Sequence, residues 1–425
     1  TTGRKIAWRT LTLTTISLVL SFSVWFLMSA LVVRLPGIGF KYTEMQLFWL
    51  AAMPGLAGGT LRIFHTFLIP VFGSRRVITV ATFLKLIPCI GIGLAVMNPD
   101  TPFWLFVLLS LSSGFGGGDF SSFMPSTSLF FPKRLQGVAL GIQAGIGNFG
   151  VSLTQFVTPW IIGFAAFGAL VGTPLTFADK GVSKPIWLQN SVFWFVPLLI
   201  ISGVLAWIFL RSIPVRASFR EQLDIFKDKH TWVMTSLYIM TFGSFSGFSA
   251  SFPLLIREVY GKMENAPDPL AFAFLGPMVG SLMRVVTGPL SDRWGGGILT
   301  QISGIGLLVC AIGITLFTTP TSLSQFPYFV ALMLGIFAFS GIGNASTFRQ
   351  IPIIFAPSPR QGAGVLGWTA AVAAYGPFVF ATLFGVIITR TGSPNLFFYG
   401  IAVFYAANIL LNWWYYARKG AEKPC

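Results

Sequence analysis

Two stretches of the chain repeat one another: GLAGGTLRIFHTFLIPVFGSRR at residues 55–76 and GPMVGSLMRVVTGPLSDRWGGG at residues 276–297. In each stretch a glycine stands four residues before an arginine, and another glycine stands eleven residues after it. These residues are Gly58, Arg62 and Gly73 in the first copy and Gly280, Arg284 and Gly295 in the second. A second correspondence relates Gly114, Gly116, Pro125 and Pro132 to Gly341, Gly343, Pro352 and Pro359. The two correspondences have nearly the same offset, which indicates a duplicated half.

The composition is that of a membrane protein. The chain has 425 residues, of which 54% are hydrophobic and 9% charged, whereas about 25% are charged in average soluble proteins. A helix needs about 20 apolar residues to cross a bilayer, and we count roughly twelve such runs. They lie near residues 10–33, 44–67, 75–97, 102–131, 135–165, 190–210, 231–256, 268–291, 298–318, 326–356, 362–389 and 396–417.

The repeat and the spans together predict the fold. We expect an all-α polytopic protein with twelve transmembrane helices, arranged as two six-helix bundles in parallel repeat. The bundles are predicted at residues 1–212 and 230–425, with a cytoplasmic linker at 213–229.

The formal charge of +16 follows from the topology. With the N-terminus inside, seventeen of the 28 lysines and arginines fall in cytoplasmic loops or tails. This bias predicts that both termini are cytoplasmic. The partner of the chain is then the lipid bilayer of the inner membrane, and nucleic-acid binding is not expected.

Arg62 and Arg284 lie near the middle of their spans, where a cation costs roughly 2.5–3.5 kcal/mol. Asp119 is the only acidic residue deep within a span. The excess of positive charge favours an anion site, and structural ion pairing is the alternative. A guanidinium fork suits an oxyanion with coplanar oxygens. The amide of Asn148 and the hydroxyl of Tyr238 can add neutral donors, and the rings of Phe120 and Phe242 can form the walls.

Several small residues predict close contact between helices. In GVALGIQAGIGNFG, at residues 137–150, Gly137, Gly141 and Gly145 form one helical stripe that Asn148 continues. Such a stripe lets helices approach closely and slide, although static packing explains it equally well. Gly147 of the same segment, and Gly376 of the glycine- and alanine-rich segment 362–385, are predicted to share this conformational role.

The loop GPLSDRWGGG at residues 288–297 carries the pair Asp292 and Arg293. We expect this pair to belong to a charge network that latches the two halves on the inner side. The alternative is a plain loop whose charges set the topology.

At this point the sequence resembles a family. The six-plus-six repeat with the 288–297 loop is similar to the major facilitator superfamily, and GVALGIQAGIGNFG resembles the signature of bacterial nitrate/nitrite porters of the NarK type. The other similar segments are those around Arg62 and Arg284, FFPK at 130–133, TFGSFSGFSA at 241–250 and TGSP at 391–394. The resemblance implies that the two arginines bind nitrate or nitrite, with Asn148 and Tyr238 as polar partners, and that Phe120 and Phe242 sandwich the planar anion.

The mechanism stays open between two transport modes. Nitrate/nitrite exchange is electroneutral and needs no proton carrier, and we favour it. Proton-coupled nitrate uptake needs a titrating group, for which Asp119 and His65 are the candidates; alternatively, Asp119 pairs permanently with Lys85 or Arg349. A membrane-bound anion sensor is a third hypothesis. No enzyme, metal site or cofactor is expected, and we expect a monomer.

Overall fold

The computed structural model describes residues 2–179, 182–213 and 220–425. Within these residues, eleven helices are long and apolar enough to cross a membrane. The 29-residue helix Lys133–Ile161 is about 43 Å long at 1.5 Å per residue and is more polar, because it carries Gln143, Asn148 and Gln155. We count it as the twelfth span, so the prediction of about twelve membrane helices is confirmed.

The spans of the first half begin near the N-terminus. Span 1 consists of Thr2–Trp25 and Leu27–Leu31, span 2 of Glu44–Phe72, span 3 of Ser74–Leu84 and Leu86–Ala95, span 4 of Phe103–Ser113, Phe115–Gly118 and Phe120–Ser128, span 5 of Lys133–Ile161, and span 6 of Asn190–Phe193 and Phe195–Phe209.

The second half repeats this arrangement. Span 7 consists of Lys229–Tyr238, the π-helical segment Ile239–Gly243 and Ser244–Tyr260, span 8 of Pro269–Ala273 and Leu275–Trp294, span 9 of Gly296–Ile314, span 10 of Phe326–Ile354, span 11 of Pro359–Ala373 and Gly376–Thr391, and span 12 of Asn395–Asn412 and the π-helical segment Trp413–Ala417. Short 3-10 helices cover Pro36–Ile38, Gly168–Val171, Arg220–Lys227 and Leu323–Gln325.

One β-hairpin departs from the predicted all-α fold. Strands Leu175–Asp179 and Val182–Ile186 pair antiparallel between spans 5 and 6, with Leu175 opposite Ile186. Phe177 of the first strand packs on Gly37, where an added Cβ would lie 2.2 Å from the ring. The hairpin is therefore anchored to the first half, at the end of the molecule opposite the termini.

Local sequence signals explain where several spans begin and turn. Thr43 caps span 2 through a reciprocal capping box with Gln46, which satisfies backbone donors that the first helical turn leaves free. The repeated glycines Gly73 and Gly295 have φ values of +77° and +87°, a conformation that glycine adopts without steric cost. They make the tight turns after spans 2 and 8, which accounts for their recurrence at the same place in both halves.

Glycines also explain the crossing of spans within each half. An added Cβ on Gly114 of span 4 would lie 2.7 Å from the backbone nitrogen of Gly58 in span 2. In the second half, a Cβ on Gly341 of span 10 would lie 2.2 Å from the carbonyl oxygen of Gly280 in span 8. Both halves thus need a glycine at the close crossing of these two spans. The two repeated patterns found in the sequence therefore lie on the two helices of one packing motif, which occurs once in each half.

The halves meet along two seams, between spans 2 and 11 and between spans 5 and 8. At the end opposite the termini, polar contacts join span 5 to spans 7 and 8 of the second half. The Ser152 hydroxyl donates to the Phe274 carbonyl at 2.5 Å, and the Gln155 amide donates to the Ser249 carbonyl at 2.9 Å. The face of span 5 that carries the glycine stripe thus continues into Ser152 and Gln155, which bind the second half.

Towards the termini, spans 5 and 8 move apart. A Cβ on Gly145 of span 5 would lie 2.4 Å from Val285 of span 8. One turn closer to the termini, however, a Cβ on Gly141 would meet nothing within 4 Å in the described part of the chain, and the same holds for Gly288 of span 8. In the described part of the chain, the contact between spans 5 and 8 is therefore lost towards the end that carries the termini.

The linker attaches to the second half. The carboxylate of Asp224 pairs with Arg360 at the start of span 11 and accepts a hydrogen bond from the amide of Gln361 at 3.1 Å. The hydrogen bond from Arg360 is the main reason why the pKa of Asp224 lies below its usual value. Residues 214–219 of the predicted linker 213–229 lie outside the described residues.

Candidate functional site

Arg62 lies fully buried between the two halves. Its Nε donates to the Gly117 carbonyl of span 4 at 2.8 Å, and its Nη1 donates to the Ala370 carbonyl of span 11 at 2.8 Å. Within the described residues, Nη2 has no hydrogen-bond partner. The side chain therefore links the halves and keeps one charged donor group free.

Aromatic rings surround this guanidinium group. Its Cζ lies 4.7 Å from the ring centroid of Phe120, 5.1 Å from Trp25, 5.2 Å from Phe242 and 5.9 Å from Phe22. Cation–π attraction partly replaces the hydration that a buried guanidinium loses. The rings thus hold the charge of Arg62 without neutralising it.

Arg284 approaches the same region from the second half. Its side chain is buried, with 5% of the residue exposed, and its Nη2 lies 3.4 Å from the Tyr238 hydroxyl. Its Nη1 finds no partner among the residues that the structure describes. Its Cζ is 6.0 Å from the Phe242 centroid, so one ring adjoins both guanidinium groups.

Tyr238 and Phe242 owe their arrangement to a local irregularity in span 7. The segment Ile239–Gly243 is π-helical, and single π-turns of this kind are frequent at functional sites. The rings of Tyr238 and Phe242 stack with an interplanar angle of 5° at 5.4 Å. The bulge therefore presents a phenol and a phenyl face side by side next to Arg284.

Two asparagines, one in each half, are fully buried and lack hydrogen-bond partners among the described residues. Both amide atoms of Asn148 in span 5 and of Asn344 in span 10 lack hydrogen-bond partners in the described part of the chain. Buried polar groups are rarely left unpaired, since each costs about 1–3 kcal/mol. Asn344 stands one helical turn before Phe348, whose ring lies 5.2 Å from the Cζ of Arg284. These amides are available to a polar ligand.

Asp119 forms a buried ion pair with Lys85, one of the two partners that the sequence suggested. Both residues lie at breaks in their helices, Lys85 between the two parts of span 3 and Asp119 between two parts of span 4. The same carboxylate oxygen accepts a hydrogen bond from Ser21 at 2.6 Å. Asp119 is thus balanced by Lys85, and neither Arg62 nor Arg284 forms an ion pair with a carboxylate of the described residues.

His65 lies beside this pair. Its Nδ1 is 3.0 Å from the Ser122 hydroxyl and 3.8 Å from the second carboxylate oxygen of Asp119. That oxygen has no hydrogen-bond partner among the described residues. The two candidate coupling residues are therefore neighbours, and both belong to the first half.

The predicted conformational residues lie in different places. Gly145 faces span 8 of the other half, whereas a Cβ on Gly147 would lie 2.7 Å from Leu18 of span 1. A Cβ on Gly376 would lie 2.4 Å from the Gly243 carbonyl, so this glycine packs span 11 on the π-helical segment of span 7. The surroundings of Gly137 lie outside the described residues. Only part of the set is therefore at the seam between the halves.

The predicted inner latch has a different partner. Asp292 pairs with Arg349 of span 10, in the same half, and not with the first half. The pair therefore secures the 288–297 loop within the second half in this conformation. Arg349, which the sequence left as a candidate partner of Asp119, is engaged here instead.

The sequence of the chain is similar to those of known transport proteins. A model of the Major Facilitator Superfamily matches residues 13–363. The chain is 66% identical to a protein named probable nitrate/nitrite antiporter NarK2 from Thermus thermophilus, covering 99% of this chain and 95% of that protein. It is 37% identical to the nitrate/nitrite transporter NarU of Escherichia coli, covering 98% and 93%. The chain belongs to the nitrate/nitrite porter family of this superfamily. Porters of this family span the bacterial inner membrane many times.

The solved structures that match the fold of this porter include a crystal structure of a bacterial homologue of the human lysosomal transporter Spinster, in an inward-facing and unoccupied conformation. The TM-score is 0.63 at 15% identity, over 96% of this chain and 93% of that one. At this identity the likeness concerns the fold alone, and it agrees with the twelve-span architecture.

Sequence reasoning missed three residues of this porter's central region. They are Trp25 and Phe348, whose rings lie beside Arg62 and Arg284, and Asn344, whose buried amide has no partner among the described residues. Asn344 carried a signal, since it is an amide within the repeated glycine segment of span 10. The two aromatic residues carried none, because 44 phenylalanines and 13 tryptophans hide any single ring.

Proposed function

We propose that this porter exchanges nitrate for nitrite across the bacterial inner membrane by alternating access. One anion binds between Arg62 of the first half and Arg284 of the second half. The observation that carries the proposal is that each buried guanidinium, one from each half, keeps an Nη group without a partner among the described residues. The relatives named as nitrate/nitrite transporters agree with this choice of anion.

The geometry of the donors favours a small planar oxyanion. Guanidinium is planar and donates two parallel hydrogen bonds to coplanar oxygens. The ring of Phe242 adjoins both arginines, and Phe120 lies 4.7 Å from Arg62, so flat walls flank the space beside the donors. The free amide of Asn148 and the Tyr238 hydroxyl add neutral donors. Nitrate and nitrite both meet these requirements.

Charge balance favours exchange over uncoupled transport. With Asp119 paired to Lys85, two positive charges remain in a poorly solvated passage, where like charges repel strongly. An anion between the arginines removes this repulsion and lets the halves close around it. The empty porter therefore switches slowly, and the loaded porter switches fast.

Proton-coupled nitrate uptake is the second candidate. It is supported by one observation: the carboxylate oxygen of Asp119 that faces His65 has no hydrogen-bond partner in the described residues. A proton on this pair would change the charge of the first half. In this mechanism Asp119→Asn or His65→Gln abolishes the dependence of uptake on a proton gradient.

We further propose the orientation and the unit of transport. The excess of basic residues in the loops next to the termini supports cytoplasmic termini, which makes the present conformation inward-facing. The division into bundles 1–212 and 230–425, joined by 213–229, follows the repeat. A single chain suffices as the transport unit, because the two arginines come from the two halves of one chain.

The experiment uses proteoliposomes loaded with nitrite, with nitrate or with neither, and follows nitrate uptake with and without an inward proton gradient. Exchange predicts uptake that requires an internal anion and ignores the gradient. Uptake into empty vesicles that follows the gradient would contradict exchange and support symport. Uptake into none of the vesicles would contradict both.

A further inference from the structure

We propose a second anion-binding site in a cleft between the β-hairpin and the loop before span 8. It binds a small oxyanion in place of the carboxylate of Asp268. The cleft has a volume of about 400 Å³, and its lining includes Arg34, Lys184 and Asp268. It lies at the end of the molecule opposite the termini, where the central passage is closed. The inference rests on the proposed function for alternating access, for transfer of the anion to the central arginines and for the choice of nitrate as the probe.

The cleft contains two cationic side chains and one acid. Arg34 follows the helix Leu27–Leu31, and 12% of its side chain is exposed. Its Nη2 pairs with Asp268, its guanidinium lies 5.6 Å from the ring of Phe177, and its buried Nε has no partner among the described residues. Lys184, on the hairpin, is exposed. Without Asp268 the site carries two positive charges and a free buried donor.

The ion pair between Arg34 and Asp268 crosses the two halves. Arg34, Phe177 and Lys184 belong to the first half, where Phe177 anchors the hairpin on Gly37. Asp268 belongs to the second half, where its other carboxylate oxygen caps span 8 by accepting from the Leu270 amide at 3.0 Å. Alternating access requires this end to open. When it opens, Asp268 moves away with its own half, and the cations remain together with the other.

An anion from solution therefore has a defined place to bind. It replaces the lost counterion of Arg34 and binds next to Lys184, at the mouth of the newly opened passage. It also competes with Asp268 for Arg34, so its binding favours opening of this end. The site thus captures the substrate before transfer to Arg62 and Arg284, and it weakens the closed state at the same time.

Substitutions of Arg34 and of Asp268 are expected to affect the half-saturating nitrate concentration differently. Arg34→Gln removes the site, and we expect it to raise the half-saturating nitrate concentration on the hairpin side by about three- to tenfold, which corresponds to the loss of one surface ionic contact or slightly more. Asp268→Asn removes the competitor but keeps a good helix cap, so this concentration stays equal or falls. Lys184→Gln shifts it upward by a smaller factor.

The measurement uses right-side-out and everted membrane vesicles, which expose the two ends of the porter separately. Lys262→Gln and Asp179→Asn are the matched controls, since each removes one exposed charge from the same end without lining the cleft. On the hairpin side, a higher half-saturating concentration in Arg34→Gln together with an equal or lower one in Asp268→Asn supports the site. A shift of the same sign in both variants, as a simple latch would give, overturns it, as does an unchanged value in Arg34→Gln.

A second readout is independent of transport. Nitrate is expected to slow acylation of the Lys184 amine, followed by mass spectrometry, relative to gluconate at equal ionic strength. The effect disappears in Arg34→Gln and persists in Arg62→Gln. Equal acylation rates in both salts would overturn the proposal. If the unaltered porter fails to exchange nitrate at all, the proposed function fails, whereas the acylation result still decides the cleft site.

Discussion

Replacing Arg62 with lysine keeps a positive charge in the membrane but removes the planar guanidinium. The three nitrogens of Arg62 have separate tasks. Nε binds Gly117 in its own half, Nη1 binds Ala370 in the other half at the same distance of 2.8 Å, and Nη2 is left for the anion. A lysine ammonium is one compact donor on a flexible stem, so it cannot occupy all three positions.

The size of the effect follows from the hydrogen bond to the anion. A hydrogen bond that involves a charged group contributes roughly 1.5–3 kcal/mol, and 1.4 kcal/mol is a tenfold change. If Arg62→Lys loses the contact made by Nη2, nitrate exchange should fall by roughly 10- to 140-fold in the ratio of maximal rate to half-saturating concentration.

The assay is nitrate uptake into nitrite-loaded proteoliposomes, normalised to the amount of folded protein. Arg418→Lys is the matched control, because Arg418 follows the last turn of span 12, its Nε donates to the Trp414 carbonyl, and its guanidinium lies over the neighbouring indole rings. Exchange by Arg62→Lys within about threefold of the unaltered protein would refute the argument that the planar fork, and not only its charge, holds the anion.

Three further predictions concern the surroundings of the site. Asp119→Asn leaves Lys85 buried without its counterion, so the midpoint of thermal unfolding should fall by the amount that corresponds to a loss of about 3–5 kcal/mol in the free energy of unfolding. The midpoint should recover in part in the double variant with Lys85→Met, and an unchanged midpoint in Asp119→Asn would contradict a structural pair. Gly145→Val inserts a side chain where a valine of span 8 lies 2.4 Å from an added Cβ, so nitrate exchange should fall at least tenfold at equal expression. In the control Gly400→Val, an added Cβ meets nothing within 4 Å in the described residues, and exchange should be retained. Asn148→Asp places a carboxylate on the face of span 5 that meets the second half and should abolish nitrate exchange by repulsion, while retention of exchange would show that Asn148 does not face the anion.

Much of the architecture could be predicted because it depends on local chemistry. Apolar runs of sufficient length must cross the bilayer as helices, and the repeated glycines are required by left-handed turns and close crossings that occur in both halves. The two central arginines were also evident, since a cation in the middle of a span is costly and needs a reason.

Other features depend on tertiary contacts that no short pattern encodes. The π-helical segment that aligns Tyr238 with Phe242 carries no sequence signal that we could recognise. The choice of Lys85 over Arg349 as the partner of Asp119 depends on how the breaks in spans 3 and 4 face each other. The ion pair between Arg34 and Asp268 joins loops 234 positions apart, and it exists only where the two halves close.

The central claim is that an anion must bind between Arg62 and Arg284 before the porter can switch between its inward-facing and outward-facing conformations. Single-molecule fluorescence between labels at positions 100 and 262, one in each half at the end opposite the termini, would follow this motion directly. The account predicts that nitrate accelerates switching at least tenfold over the empty porter, and that this acceleration is lost in Arg62→Gln. Equal switching rates with and without nitrate would contradict the account.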